Sequence, residues 1–225
     1  MRFGRRFLTA LFVMSTLASA SYADPAEAPA SGKYWVYIGT YTKPNVSQGI
    51  YRCELDLKTG GLSEPKLVAE MVNPSFVNLS PNGEFLYAVG ETGESGEKKN
   101  EGTVHAFRID RKTGDLTALN SVTSGGAAPC HLMVNQTGKF VIVANYTGGN
   151  ASVFSLKDDG SLDRRTDFRQ HSGGDTASGR KIVPHAHCSM FRTEGETEYA
   201  YVVELGLDQV LSYTLDQRTG ALTPT

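Results

Sequence analysis

Cysteine is scarce in this sequence: 225 residues contain three, Cys53, Cys130 and Cys188. A disulfide scaffold needs cysteine at higher density, so the fold cannot depend on bridges. At most one bridge forms, and Cys130 and Cys188, at equivalent repeat positions, are the candidate pair. Helical periodicity is also missing: no stretch sustains apolar residues at a 3.6-residue period between recognisable caps. Beyond the N-terminus no apolar run exceeds strand length, so the body of the chain holds no membrane-spanning helix. Charge of either sign is not in excess, with 22 basic and 24 acidic side chains. No basic stripe interleaved with aromatics is present, which argues against a nucleic-acid partner. No long block of like charge marks a disordered tail.

What the chain does have begins with a targeting pattern. Arg2, Arg5 and Arg6 precede an apolar run at residues 8–18, followed by Ala18-Ser19-Ala20 and Ser21-Tyr22-Ala23. Small residues at that spacing are what a signal peptidase reads. The apolar run is about half the ~20 residues needed to span a bilayer, so a cleaved signal is expected rather than an anchor. The expected organisation is a signal peptide at 1–23, an Ala/Pro-rich tether at 24–32 and one domain at 33–225. The mature protein is expected to be exported, periplasmic or secreted, and free of the membrane after cleavage.

The domain repeats. Asp56-x-x-Thr59-Gly60-x-Leu62 returns as Asp110-x-x-Thr113-Gly114-x-Leu116 and as Asp216-x-x-Thr219-Gly220-x-Leu222, with a degenerate copy at 157–162. Pro74, Pro129 and Pro184 recur at a step of about 55 residues. Each proline leads to a turn, Asn82-Gly83, Thr137-Gly138 or Glu194-Gly195, and then to an aromatic and β-branched run. The turn glycines supply the positive φ of tight hairpins, and the runs between them read as strands. Three or four short antiparallel strands per unit, at a period near fifty, predict an all-β fold, a β-propeller of about four blades. Closure requires either that the strand near 34–41 complete the last blade or that further blades exist. Otherwise the open blade edges invite self-association.

Several phrases carry a family resemblance: Tyr37-Ile38-Gly39-Thr40-Tyr41, the 74–91 segment, Ser124-Gly125-Gly126, Pro129-Cys130-His131-Leu132, Val143-Ala144-Asn145-Tyr146, Pro184-His185-Ala186-His187 and Glu204-Leu205-Gly206-Leu207-Asp208. Together they resemble the seven-bladed β-propeller lactonases, which include the propeller-type 6-phosphogluconolactonases and are similar to a fungal carboxymuconate-lactonising cycloisomerase. The resemblance runs from about residue 34 to 225 and covers the first part of the family's pattern, with about three blades of it missing. It implies hydrolysis of a sugar lactone, most of all of the 6-phosphogluconolactone type, without a metal or other cofactor. It also implies a site built from a His, an Arg and an acidic residue, for which His131, Arg180 and Glu204 are the best matches here, with His187 close behind. Glu204 stands where the family more often carries Asp.

The residues themselves point to the same region. Propellers bind ligands at the mouth of a central channel lined by their inner strands. His131, His185 and His187, three of five histidines, fall in the segments opened by Pro129 and Pro184. A neutral histidine is the natural general base for activating water. His131, Glu204 and His187 are therefore the catalytic candidates. Arg180, His185, Glu91 and Asn145 are the substrate-binding candidates, the last two as polar strand ends in line with Glu204. Counting back from the turn glycines places His131 level with Cys188, not with His187. His105 and His171 have no such support. His185-x-His187 with a third ligand offers a metal site as the alternative chemistry, and a nucleophilic Cys130 or Cys188 lacks cationic surroundings. The alternative function is a non-catalytic exported propeller that binds carbohydrate or protein, since fold alone does not decide.

Overall fold

A computed structural model describes residues 32–93, 101–173 and 183–225. The expected signal peptide, nearly all of the tether, and Arg180 and Lys181 lie outside the described residues. Among the described residues there are only strands and turns, arranged in four antiparallel sheets in chain order.

The first sheet has three strands, β1 (Lys33–Ile38), β2 (Gly49–Asp56) and β3 (Lys66–Glu70). The second comprises β4 (Val77–Leu79), β5 (Phe85–Gly90), β6 (Thr103–Ile109) and β7 (Leu116–Thr123). The third comprises β8 (Pro129–Val134), β9 (Phe140–Asn145), β10 (Asn150–Leu156) and β11 (Leu162–Gln170). The fourth comprises β12 (Ala186–Glu194), β13 (Thr197–Glu204), β14 (Gln209–Leu215) and β15 (Leu222–Pro224). Each is a simple meander, and β8 lies against β4 on one side and β12 on the other, so the first strand of each full sheet is innermost.

The repeated Asp-x-x-Thr-Gly phrase is the turn between the third and fourth strands of a sheet. Asp56, Asp110 and Asp216 each accept the two backbone N–H groups two and three residues on, at 2.7–3.1 Å. These bonds favour the ionised form and hold all three carboxyls below the usual range. The phrase's glycine turns back with φ of 70–76° and donates to the aspartate's own carbonyl, which only glycine does without strain. Because the first sheet's copy follows β2, its three strands match the second, third and fourth strands of the others. It has no innermost strand among the described residues. Among those residues β1 pairs only with β2, and β15 only with β14, so the strand near 34–41 does not complete the fourth sheet.

Packing explains why the central strands are apolar throughout rather than alternating. In β9, Val141 and Val143 face the second sheet while Phe140, Ile142 and Ala144 face the fourth. All six residues of β9 are buried, as are all six of β5. Burying each such aliphatic side chain is worth roughly 1.5–3 kcal/mol. β13 behaves differently: Glu198, Ala200, Val202 and Glu204 are buried toward the third sheet, whereas Tyr199, Tyr201 and Val203 face away from it and stay partly open.

Candidate active site

The innermost strands bring residues at equivalent positions side by side across neighbouring sheets. His131 of β8 pairs with Ala144, and Cys188 of β12 pairs with Val203, so these two occupy matching positions as the turn count required. The Phe76 ring lies 4.0 Å from the His131 ring, and His131 Nε2 lies 3.6 Å from Cys188 Sγ. Phe76, His131 and Cys188 therefore form one continuous layer across three sheets. The next layer outward contains Ser75, Cys130 and His187, with Cys130 Sγ 3.3 Å from the carbonyl oxygen of His187.

His131 does not offer a free basic nitrogen. Its Nδ1 accepts the Ser189 backbone N–H at 3.3 Å, which leaves the proton of the neutral ring on Nε2. Burial, then the neighbouring His187, push its pKa down to about 4. A neutral ring of this tautomer donates from Nε2 and does not take a proton near neutrality. Of the three catalytic candidates, His131 thus has its Nδ1 taken by Ser189 N–H and its Nε2 beside Cys188.

His185 has the opposite arrangement. Its ring stacks on Tyr146, with centroids 4.5 Å apart, and Nδ1 lies 3.1 Å from the Tyr146 carbonyl oxygen. A carbonyl only accepts, so Nδ1 carries the proton and Nε2 keeps its lone pair. Nε2 has no hydrogen-bond partner among the described residues. The exposed ring of His187 meets Tyr146 edge-on at 5.7 Å. The two histidines thus converge on one aromatic platform, as residues two apart on an extended strand can. Tyr146 itself was not singled out from the sequence as a site residue, although it follows Asn145 directly.

Glu204 is fully withdrawn from solvent, its side chain 0% exposed. Its Oε1 lies 2.9 Å from His171 Nδ1, and its Oε2 accepts the backbone N–H of His185 at 2.7 Å. Both oxygens of the carboxylate are therefore occupied within the protein, and the side chain is closed off from solvent. His171, which sequence reasoning passed over as a loop residue, is buried and forms this pair. A positional signal for it exists. Met71, Ser124 and His171 each follow the last strand of a sheet, and each donates its backbone N–H to the residue preceding a third-position strand: Gln48, Gly102 and Gly149. The strand-end residues of the next sheets are Gly90, Asn145 and Glu204, so the polarity of this latch rises along the chain.

Asn145 is likewise buried, donating to the Ser124 carbonyl at 3.3 Å and to Asn150 Oδ1 at 2.7 Å. The first bond ties the second sheet to the third, and the second joins neighbouring strands of the third. Glu91 falls one residue beyond the position of Asn145 and Glu204, because Gly90 is the strand end that pairs across with Thr103. Its Oε2 accepts the Tyr41 hydroxyl at 2.8 Å and the Ser75 hydroxyl. Burial, and then this carboxylate, raise the Tyr41 hydroxyl to about 12. The Cys130 thiol is also raised to about 12, by burial first and by Glu91 next, and burial raises Cys188. Both are therefore thiols rather than nucleophilic thiolates at neutral pH. All three cysteines are free, so the Cys130–Cys188 bridge is not formed. Among the described residues no three His, Cys, Asp or Glu side chains converge to share an ion. His105 is half-buried against Thr103, its pKa lowered by burial, and belongs to the sheet.

These features define a partial β-propeller in which β8 and the start of the fourth sheet bring His131, His185 and His187 together. The sequence pattern of the seven-bladed β-propeller lactonases matches residues 35–225, and the chain belongs to that family. It is 38% identical over 191 residues to the 6-phosphogluconolactonase of Bacillus subtilis, covering 85% of this chain and 51% of that protein. A crystal structure from Bacteroides uniformis superposes with a TM-score of 0.75 at 32% identity, covering 86% of this chain and 53% of the other. The periplasmic gluconolactonase of Pseudomonas aeruginosa superposes with a TM-score of 0.72 at 26% identity, covering 86% and 55%. The chain spans about half the length of the curated relatives it matches.

Proposed function

We propose that this chain hydrolyses a sugar lactone at the channel mouth, with His185 as general base. The observation that carries the reading is the contact of His185 Nδ1 with the Tyr146 carbonyl oxygen at 3.1 Å, which calls for the proton on Nδ1 and leaves the Nε2 lone pair for a water. Water attacks the lactone carbonyl carbon as its proton passes to Nε2. The tetrahedral oxyanion then collapses, the ring C–O bond breaks, and the alkoxide leaving group takes a proton back, giving the open-chain aldonic acid. Glu91, fixed by Tyr41 and Ser75, suits an acceptor for sugar hydroxyls, and exposed His187 a second contact. Neutral His131 lies deeper and supports the inner layer.

Likeness to a relative named 6-phosphogluconolactonase supports 6-phosphogluconolactone as a substrate, while the expected export signal and likeness to a periplasmic gluconolactonase support an unphosphorylated aldonolactone. Arg180 and Lys181 are the candidates for a phosphate or carboxylate handle by charge alone. The test is acid release from gluconolactone and 6-phosphogluconolactone by the mature chain, above the spontaneous rate. Excess hydrolysis of either supports the enzyme; folded protein with neither excess overturns it and leaves a binding module.

A further inference from the structure

We propose that His171 and Glu204 are positioning residues that fix which nitrogen of His185 faces the channel. This rests on the lactonase reading for its kinetic consequence, although the structural consequence stands by itself. Neither side chain can touch a substrate, since their side chains are 2% and 0% exposed. What Glu204 does touch is the backbone N–H of His185, at 2.7 Å, a hydrogen bond to a charged acceptor in a dry setting. That bond sets the course of the chain into β12, and with it the stacking of His185 on Tyr146 and the bond from Nδ1 to the Tyr146 carbonyl. His171 Nδ1 occupies the other carboxylate oxygen and prevents the carboxylate from turning.

Packing alone does not call for such a pair. The same latch between the first two sheets is made by Met71 and Gly90, with Met71 packed against the apolar cluster there. Between the second and third it is Ser124 and Asn145. In the equivalent place before β8, the Ala128 N–H is satisfied by the backbone carbonyl of Thr92, without any side chain. Only before His185 does a carboxylate take over. The cost is visible as well, because the buried Nε2 of His171 has no hydrogen-bond partner. Leaving a buried donor or acceptor unmade is unfavourable. A fold that needed only a filled space at this position had an apolar solution at the first latch, Met71, two latches away.

The test copies that solution. His171→Met restores the packing seen at Met71 but removes the hydrogen bond, whereas His171→Gln keeps a donor for Glu204. Histidine nitrogen shifts from ¹⁵N NMR report the His185 tautomer in each protein, and gluconolactone hydrolysis reports kcat and KM. In His171→Met the single Nδ1–H tautomer of His185 is expected to give way to a mixture. Its kcat is expected to fall about tenfold to a hundredfold, as small misplacements of reacting groups do, while KM changes little. His171→Gln is expected to recover most of both. A folded His171→Met with wild-type tautomer and wild-type kcat overturns the proposal. Should His171→Met not fold, Glu204→Gln is read in the same way, since it puts an NH2 donor where one of the two accepting carboxylate oxygens meets His171 or His185. If the wild-type chain hydrolyses no lactone, the functional reading fails, and the tautomer measurement alone decides the role of the pair.

Discussion

The two ends of β13 carry glutamates that are equally buried, Glu198 and Glu204, each 1% exposed and both facing the third sheet. Their surroundings are not equal. Glu204 meets a histidine and a backbone N–H, one at each oxygen. Glu198 receives one bond, from Asn135 Nδ2 at 3.0 Å, and its other oxygen has no partner. Burial raises the Glu198 pKa, offset only in part by Asn135. Burial by itself therefore says little about function. The number and kind of groups that meet a buried carboxylate say more, and here they separate the end that meets His171 and the His185 backbone from the end that meets Asn135 alone.

The largest effect expected from this contrast is on stability. Glu204→Ala strips the acceptor from two buried donors and should cost about 2–4 kcal/mol. Glu198→Gln removes an ill-placed charge and keeps an acceptor for Asn135, so it should leave stability within about 1 kcal/mol of wild type or raise it. Urea denaturation of both variants checks the pair, and equal losses would break the comparison. The pH dependence follows from the raised pKa. A carboxyl whose pKa is raised by folding favours the folded state fully below the ordinary carboxyl range, and that stabilisation is lost as pH rises through the folded value. Glu198→Gln should flatten this decline above the ordinary Glu pKa.

His131 sharpens the contrast from the opposite side. Its folded pKa, about 4, lies below the ordinary value of 6.5. Between those values the unfolded chain binds a proton that the folded chain does not, so stability should fall as pH falls through that window. His131→Gln should remove that slope, and an NMR titration of His131 should show a midpoint near 4. The smallest effect concerns the other face of β13. Tyr201 and Val203 look away from the third sheet, and Val203 is 37% exposed. Self-association through the terminal sheets is expected as a weak, concentration-dependent rise in sedimentation coefficient, reduced in Val203→Asp.

Much of this was legible in the sequence, and what was not has physical causes. The Asp-x-x-Thr-Gly turns and the runs at Phe85, Phe140 and Tyr199 gave strand number, order and hairpin positions, because turn chemistry is local. The level of His131 with Cys188 was legible for the same reason, since register follows from counting to a turn glycine. The first sheet's missing inner strand was less visible, because Lys33–Ile38 reads as a strand whichever position it takes. The roles of the histidines were not legible at all. Whether a ring can accept a proton depends on which nitrogen meets Ser189 N–H or the Tyr146 carbonyl, contacts that run between strands and loops far apart in sequence. His171 was hidden because it sits outside every repeated phrase and acquires its partner across a sheet boundary.

The most direct test of the account is kcat/KM for the better of the two lactones in wild type, His185→Gln and His131→Gln, measured side by side at neutral pH. The account predicts lactone hydrolysis by the wild type, a loss on the order of a hundredfold in His185→Gln, and a much smaller loss in His131→Gln. A His185→Gln protein that retains the wild-type rate, or a larger loss in His131→Gln, would contradict it.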